Sequence, residues 1–204
     1  MQLSIDPESV KGFLAPEEGA RLYELATSAA RLGPCLEVGS YCGKSTVYLG
    51  SACRQAEQLL YAIDHHRGSE EHQLGEEYHD PELYDSSAGK MDSFYEFRRT
   101  VDRAGLADHV VPIVASSALA GRHLSAPLAL VFIDGGHSEE AAQIDYRTWA
   151  PKLLPGGILA IHDIFEKPED GGQAPYNIYR QALASGLFEA LPSTHTLGVL
   201  RRIV

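Results

Sequence analysis

The chain of 204 residues is poor in cysteine, tryptophan and basic side chains. Its three cysteines, Cys35, Cys42 and Cys53, show no C-x-x-C spacing. So sparse and odd a set excludes a disulfide scaffold and leads us to expect a reducing, cytoplasmic setting. Lysine and arginine number 17 against 28 aspartates and glutamates, for a formal net charge of −11. Phosphate backbones and anionic lipid are repelled by that balance, so neither nucleic acid nor membrane is an expected partner. No apolar run approaches the roughly 18 residues that a membrane-spanning helix needs. The opening Met1-Gln2-Leu3-Ser4-Ile5-Asp6 lacks a basic region followed by an apolar one, so no signal peptide is expected. What remains is ordinary for a globular protein: 44% hydrophobic and 22% charged residues, enough chain for one domain with a full core.

Two familiar phosphate loops are also missing. The segment Cys35-Leu36-Glu37-Val38-Gly39-Ser40-Tyr41-Cys42-Gly43-Lys44-Ser45 reads as a strand, a glycine turn and a helix start. It has no G-x-G-x-x-G, and Gly39 to Gly43 is one residue short of the P-loop despite the Gly43-Lys44-Ser45 ending. The pattern left is Glu37-x-Gly39-x-x-x-Gly43, a loop whose glycines let backbone approach a ligand closely.

Short apolar runs alternate with amphipathic segments. Strands are expected at Cys35–Val38, Leu59–Ile63, Val110–Val114, Leu128–Ile133 and Ile158–Ile161. Helices are expected at Pro16–Leu32, Lys44–Arg54, Lys90–Ala104, Glu139–Leu153 and Pro175–Ser185. This alternation predicts an α/β fold, a Rossmann-like doubly wound sheet covered on both faces. Phe188–Leu191 and Thr196–Ile203 read as a closing antiparallel hairpin on an otherwise parallel sheet. We expect one domain over 1–204, with an N-terminal helical segment at 1–33. Residues 65–89 are long, polar and rich in Glu, His and Tyr, and read either as a solvated excursion or as a lid. The lid is favoured because the segment leaves the carboxyl end of a strand, where open α/β sheets bind ligands.

Chemistry-bearing residues follow the strands. Asp64 ends the second strand, where a carboxylate can accept from both hydroxyls of a ribose. Ser116 and Ser117 follow the third. Val131-Phe132-Ile133-Asp134-Gly135-Gly136-His137 delivers Asp134 to the sheet edge, with His137 at the next helix start. Ile161-His162-Asp163 ends the fifth strand. Asp134, His162 and Asp163 can bind a divalent ion, and His137 is typed for proton removal near neutral pH. Other readings are a polar helix start for His137 and a loop cap for His162-Asp163.

The Leu36–Ser45 loop resembles that of the catechol O-methyltransferase group. Phe132-Ile133-Asp134-Gly135-Gly136-His137-Ser138 and Leu153-Leu154-Pro155-Gly156-Gly157-Ile158-Leu159-Ala160-Ile161-His162-Asp163 resemble the bacterial Methyltransferase-24 type, related to macrocin O-methyltransferases. The resemblance spans roughly 33–164 and implies a seven-stranded class I methyltransferase using S-adenosylmethionine. On that resemblance Glu37, Gly39, Ser40, Tyr41, Gly43 and Ser45 surround the methionine part of the cofactor, and Asp64 and His65 its ribose. Ser116 and Ser117 hold adenine, and Asp134 adjoins the cofactor. Asp134, His162 and Asp163 fall on metal positions for Mg²⁺ or Mn²⁺, and His137 on the catalytic base. The family usually has an acid where His162 stands, and a nitrogen ligand tilts the site from Mg²⁺ toward Mn²⁺, Fe²⁺ or Zn²⁺.

The expected activity is metal-assisted O-methylation of a small-molecule hydroxyl, on a secondary metabolite, a sugar or a catechol. Tyr78, His79, Tyr84 and Phe94 are expected to touch the acceptor. The alternatives are a cofactor-binding accessory protein without catalysis and a metal-dependent hydrolase built on the His/Asp cluster. Helix Pro16–Leu32 could pack against a second copy, so a homo-oligomer is allowed.

Overall fold

The computed structural model describes residues 1–69, 72–73, 75 and 79–204. Seven strands form one sheet in the order β5-β2-β1-β6-β7-β9-β8. They are β1 (Cys35–Val38), β2 (Leu60–Asp64), β5 (Val110–Val114), β6 (Leu128–Ile133), β7 (Leu153–Ile161), β8 (Phe188–Thr194) and β9 (Leu197–Arg202). The pairs β5–β2, β2–β1, β1–β6 and β6–β7 are parallel, and β9 runs antiparallel to β7 and β8. The expected doubly wound sheet with its antiparallel ending is therefore observed.

Helices cover both faces. On one side lie α1 (Pro16–Ala29), α2 (Lys44–Gln55) and α3 (Phe94–Arg103). On the other lie α4 (Ser117–His123), α5 (Glu139–Trp149) and α6 (Ala174–Ala184). The two-residue period of the strands feeds both layers: in β6, Leu130 and Phe132 face the first core, Val131 and Ile133 the second. No helix among the described residues is long and apolar enough to cross a membrane.

Several boundaries differ from expectation. The helix expected from Lys90 begins at Phe94, because Lys90–Met91 (β4) pairs antiparallel with Tyr84–Asp85 (β3). Strand β7 starts at Leu153, five residues early, and absorbs Pro155-Gly156-Gly157 across a register shift against β6. Helix α4 was not expected at all. Ser116 caps it by accepting from the Leu119 N–H at 3.3 Å.

The order of strands places the site. The chain runs outward from β1 to β2 and β5, then returns to β6 on the other side of β1. Between β1 and β6 is the switch point at which such sheets bind ligands, outside the strands' carboxyl ends. Val38 and Ile133 are register partners there, and Gly39 and Asp134 follow them.

Candidate active site

A cavity of about 760 Å³ opens at this switch point, within the usual size range of small-molecule sites. One wall is the loop after β1. Gly39 has φ 87°, and a Cβ there would lie 1.9 Å from the Asp134 carbonyl oxygen, so only glycine lets the β1 and β6 ends close up. Gly43, at φ 93°, starts α2 from a left-handed cap. Ser40, Tyr41 and Ser45 line the cavity between and beyond them. The Ser40 hydroxyl is buried and has no hydrogen-bond partner among the described residues. A buried orphan of this kind calls for a polar ligand group.

Glu37 stands behind that wall. It is fully buried and absent from the cavity lining, and accepts from the hydroxyls of Ser45 (2.9 Å) and Thr46. Burial pushes its carboxyl up to about 8, against the hydroxyls and with the help of the Asp134 and Asp64 charges. The family resemblance leads one to expect this carboxylate beside the methionine part of the cofactor. The structure instead turns it inward to brace the helix start, and Gly43 likewise packs against Phe97 and Thr100 rather than lining the cavity.

Asp64 and His65 line the next wall. The Asp64 carboxylate accepts from the N–H of Tyr41 at 2.8 Å and of His66 at 2.7 Å. Two of its roughly four lone-pair sites are thus used to fix it, leaving capacity for a diol. Ser116 and Ser117 follow, at the start of α4. The Ser117 hydroxyl accepts from Trp149 Nε1 at 2.6 Å and bonds to Asp145, a buried cavity-lining carboxyl that burial raises to about 6. Asp145 and Thr46 escaped the sequence reading, because neither lies at a strand end.

Opposite is the strand-end cluster. Asp134, His137, His162 and Asp163 all line the cavity. His162 Nδ1 is 3.1 Å from Asp134 Oδ1 and 3.5 Å from Asp163 Oδ2. His137 Nε2 is 3.1 Å from Asp163 Oδ2. Burial alone would lower His162, but the charge and hydrogen bond of Asp134, with those of Asp163 and Glu18, hold it well above the usual imidazole range. Burial would raise Asp163, yet bonds from His137 and His162 hold it well below the usual carboxylate range. Asp163 carries φ 56° and Tyr41 φ 45°. Left-handed non-glycine residues are uncommon, and here they stand on both sides of the cavity.

Ligand atoms of Asp134, His162 and Asp163 lie within 4.8 Å of one another. The Nδ1 separations of 3.1 and 3.5 Å are close to the edge of roughly 3 Å expected when ligands sit about 2.1 Å from a common ion. The donor set fits a divalent cation that takes the place of the Nδ1 proton of His162. Sequence reading missed one member of this cluster. Glu18, in the first turn of α1, bonds to His162 Nε2 at 2.9 Å. Nothing local marks it, since acids are common at helix starts.

The mouth is aromatic. Phe13, Tyr41 and His72 cluster with ring centroids 5.4–6.3 Å apart, and Phe165 lines the far side. The N-terminal segment is tied across the mouth by Lys11, whose Nζ lies 2.6 Å from both Asp80 and Glu82. The residues expected to touch an acceptor lie elsewhere. His79 packs on Tyr84, and Phe94 on His66 and Phe97, and none of these lines the cavity. Tyr78 lies outside the described residues.

Comparison with known proteins agrees with this architecture. Residues 36–164 match a family model described as a methyltransferase domain. The O-methyltransferase TomG from Streptomyces achromogenes, solved with SAM, is similar over 94% of this chain and 82% of its own, at 18% identity and TM-score 0.65. An O-methyltransferase from Bacillus cereus, solved with SAH, gives 94% and 83%, 15% identity and TM-score 0.65. An SAH-bound methyltransferase from Podospora anserina gives 94% and 80%, 15% identity and TM-score 0.67. Identities this low speak for the fold, while the family match covers well over half the chain. The chain belongs to the Methyltransferase-24 branch of the class I S-adenosylmethionine-dependent methyltransferases.

Proposed function

We propose that the protein transfers a methyl group from S-adenosylmethionine to a hydroxyl oxygen of a small molecule, with a divalent cation assisting. The observation that carries this reading is the convergence of the glycine loop, Asp64, His137 and the Asp134–His162–Asp163 cluster on one cavity. Ser40, the loop backbone and Ser45 would hold the amino-acid end of the cofactor, Asp64 and His65 its ribose, and Ser116 and Ser117 its adenine. Asp134, His162 and Asp163 would hold the cation. When bound, the cofactor supplies a methyl already activated by sulfonium, and the cation lowers the pKa of an acceptor hydroxyl.

The chain's own residues do the rest. Asp163 Oδ2 stands 3.1 Å from His137 Nε2, a contact that would hold this ring in the cavity for work on the acceptor proton. The loop and the strand ends set the two reactants in line, a task worth several kcal/mol, roughly, when reacting atoms are held near contact. Phe13, Tyr41, His72 and Phe165 offer flat apolar surface that excludes water and suits a planar or sugar-bearing acceptor. Three buried free cysteines accord with a cytoplasmic, reducing setting.

The test is transfer of tritiated methyl from S-adenosylmethionine to a panel of hydroxylated acceptors. Transfer that is abolished by chelator and restored by Mn²⁺ or Mg²⁺ is expected. Transfer indifferent to chelator would remove the cation, and no transfer to any acceptor, joined to no cofactor binding, would remove the activity.

A further inference from the structure

We propose that Glu18 is a positioning residue: it fixes the His162 ring so that Nδ1, not Nε2, is presented to Asp134 and Asp163. This rests on the metal-assisted reading above and adds to it an atom-level assignment and a residue from outside the sequence motifs.

The argument is one of hydrogen-bond capacity. Glu18 is buried, and its four acceptor sites are filled from three separate segments. Oε1 accepts from the N–H and the hydroxyl of Thr196, both at 2.9 Å. Oε2 accepts from the Ala15 N–H at 3.2 Å and faces His162 Nε2 at 2.9 Å. A carboxylate so saturated cannot turn without breaking bonds to helix α1 and to the β8–β9 turn at once.

His162 Nε2 must then carry a hydrogen. Nδ1 is left facing two further carboxylates, Asp134 at 3.1 Å and Asp163 at 3.5 Å. Three donor atoms of this kind converge on a position that takes a cation. Phe132 stands edge-on to the ring at 6.3 Å between centroids and limits its rotation. A carboxylate holding the far nitrogen of a metal-binding imidazole is a recurrent device that fixes tautomer and orientation. Here that carboxylate comes from 144 residues upstream, so the first helix becomes part of the centre. The mixed nitrogen–oxygen set suits Mn²⁺ better than Mg²⁺.

Mn²⁺ binding to the full chain, followed by electron paramagnetic resonance, tests this. Glu18→Gln is expected to weaken Mn²⁺ binding about 10- to 100-fold. Thr196→Val loosens the same helix–turn tie without touching His162, and is expected to stay within about threefold of wild type, so an equal loss in both variants would reduce Glu18 to a structural strut and overturn the proposal. Should Glu18→Gln fail to fold, the wild type still decides: with histidine labelled by ¹⁵N at Nδ1 alone, pulsed resonance should show ¹⁵N coupled to Mn²⁺. Coupling from unlabelled Nε2, or Mn²⁺ affinity unchanged in Glu18→Gln, contradicts the assignment while leaving metal assistance standing. No Mn²⁺ binding by the wild type overturns both together.

Discussion

The cofactor loop and the strand-end cluster each bury one glutamate, but they surround it differently. Glu37 sits behind the loop among hydroxyls, with the charges of Asp134 and Asp64 nearby, and its carboxyl is raised to about 8. Glu18 sits under the cluster against an imidazole and two donors from Thr196, and is lowered to about 2. Both side chains are shielded from solvent, but Glu37 lies deeper and lacks a cationic partner, so depth and neighbours together decide the charge. The loop is organised by neutral hydrogen bonds and keeps its polar capacity, the Ser40 hydroxyl and the Asp64 lone pairs, for a ligand. The cluster is organised by ion pairs and points its capacity at a cation and a proton.

Four expected outcomes sharpen or break that contrast. The largest concerns His137, which belongs to the cluster's proton chemistry. His137→Ala should lower kcat about 10²- to 10⁴-fold with S-adenosylhomocysteine affinity unchanged, measured on whichever acceptor the tritium assay identifies. An unchanged rate removes His137 from the mechanism. Next is Glu18→Ala, which leaves His162 without its Nε2 partner and Thr196 without an acceptor. Breaking a buried charged pair from one side costs roughly 3–5 kcal/mol, readable from urea denaturation. A loss under about 1 kcal/mol would mean the cluster is not held by charge.

A smaller effect is expected in the loop. Asp64→Ala removes acceptors to a ligand diol, at about 1.5–3 kcal/mol for hydrogen bonds to a charged group. Calorimetry should therefore show S-adenosylhomocysteine bound about 10- to 100-fold more weakly.

The smallest is Glu37→Gln, where the amide mimics a neutral carboxyl. At about pH 4.5 and below, where the wild-type carboxyl is protonated, its stability should lie within about 1 kcal/mol of wild type, and at pH 7 it should be the more stable of the two. The sign with pH is definite. Because the folded carboxyl titrates near 8 rather than 4.5, the folded chain holds the extra proton between those values, and wild-type stability falls as pH rises through that window. Glu37→Gln should lose less from pH 5 to pH 9. Glu18 has the opposite sign: its contribution is present above about 4.5 and is lost as pH falls toward 2. Denaturation curves at several pH values separate the two.

The same contrast explains what could be read in the sequence. Gly39, Asp64, Asp134, His162 and Asp163 were legible because each ends or follows a short apolar strand, and parallel strands bring their carboxyl ends to one edge. Glu18, Phe13 and Lys11 were not. Their partners lie 144, 28 and 69 residues away, and pairings of that span are settled by packing rather than by local pattern. Helix α4 has only seven residues and follows a strand-end serine, so periodicity had too little length to report. Strands β3 and β4, of two residues each, are too short to show an alternation. Glu37 shows the converse limit. Its place before the loop was clear, but the direction of its side chain depended on the hydroxyls of Ser45 and Thr46, eight and nine residues on in the first turn of α2.

The central claim is that this cavity binds S-adenosylmethionine for methyl transfer. Calorimetric titration of the purified chain with S-adenosylhomocysteine tests it most directly. Saturable binding at one site per chain, weakened in Asp64→Ala and unchanged in His137→Ala, is the result expected. Absence of saturable binding by the folded wild-type chain would contradict it.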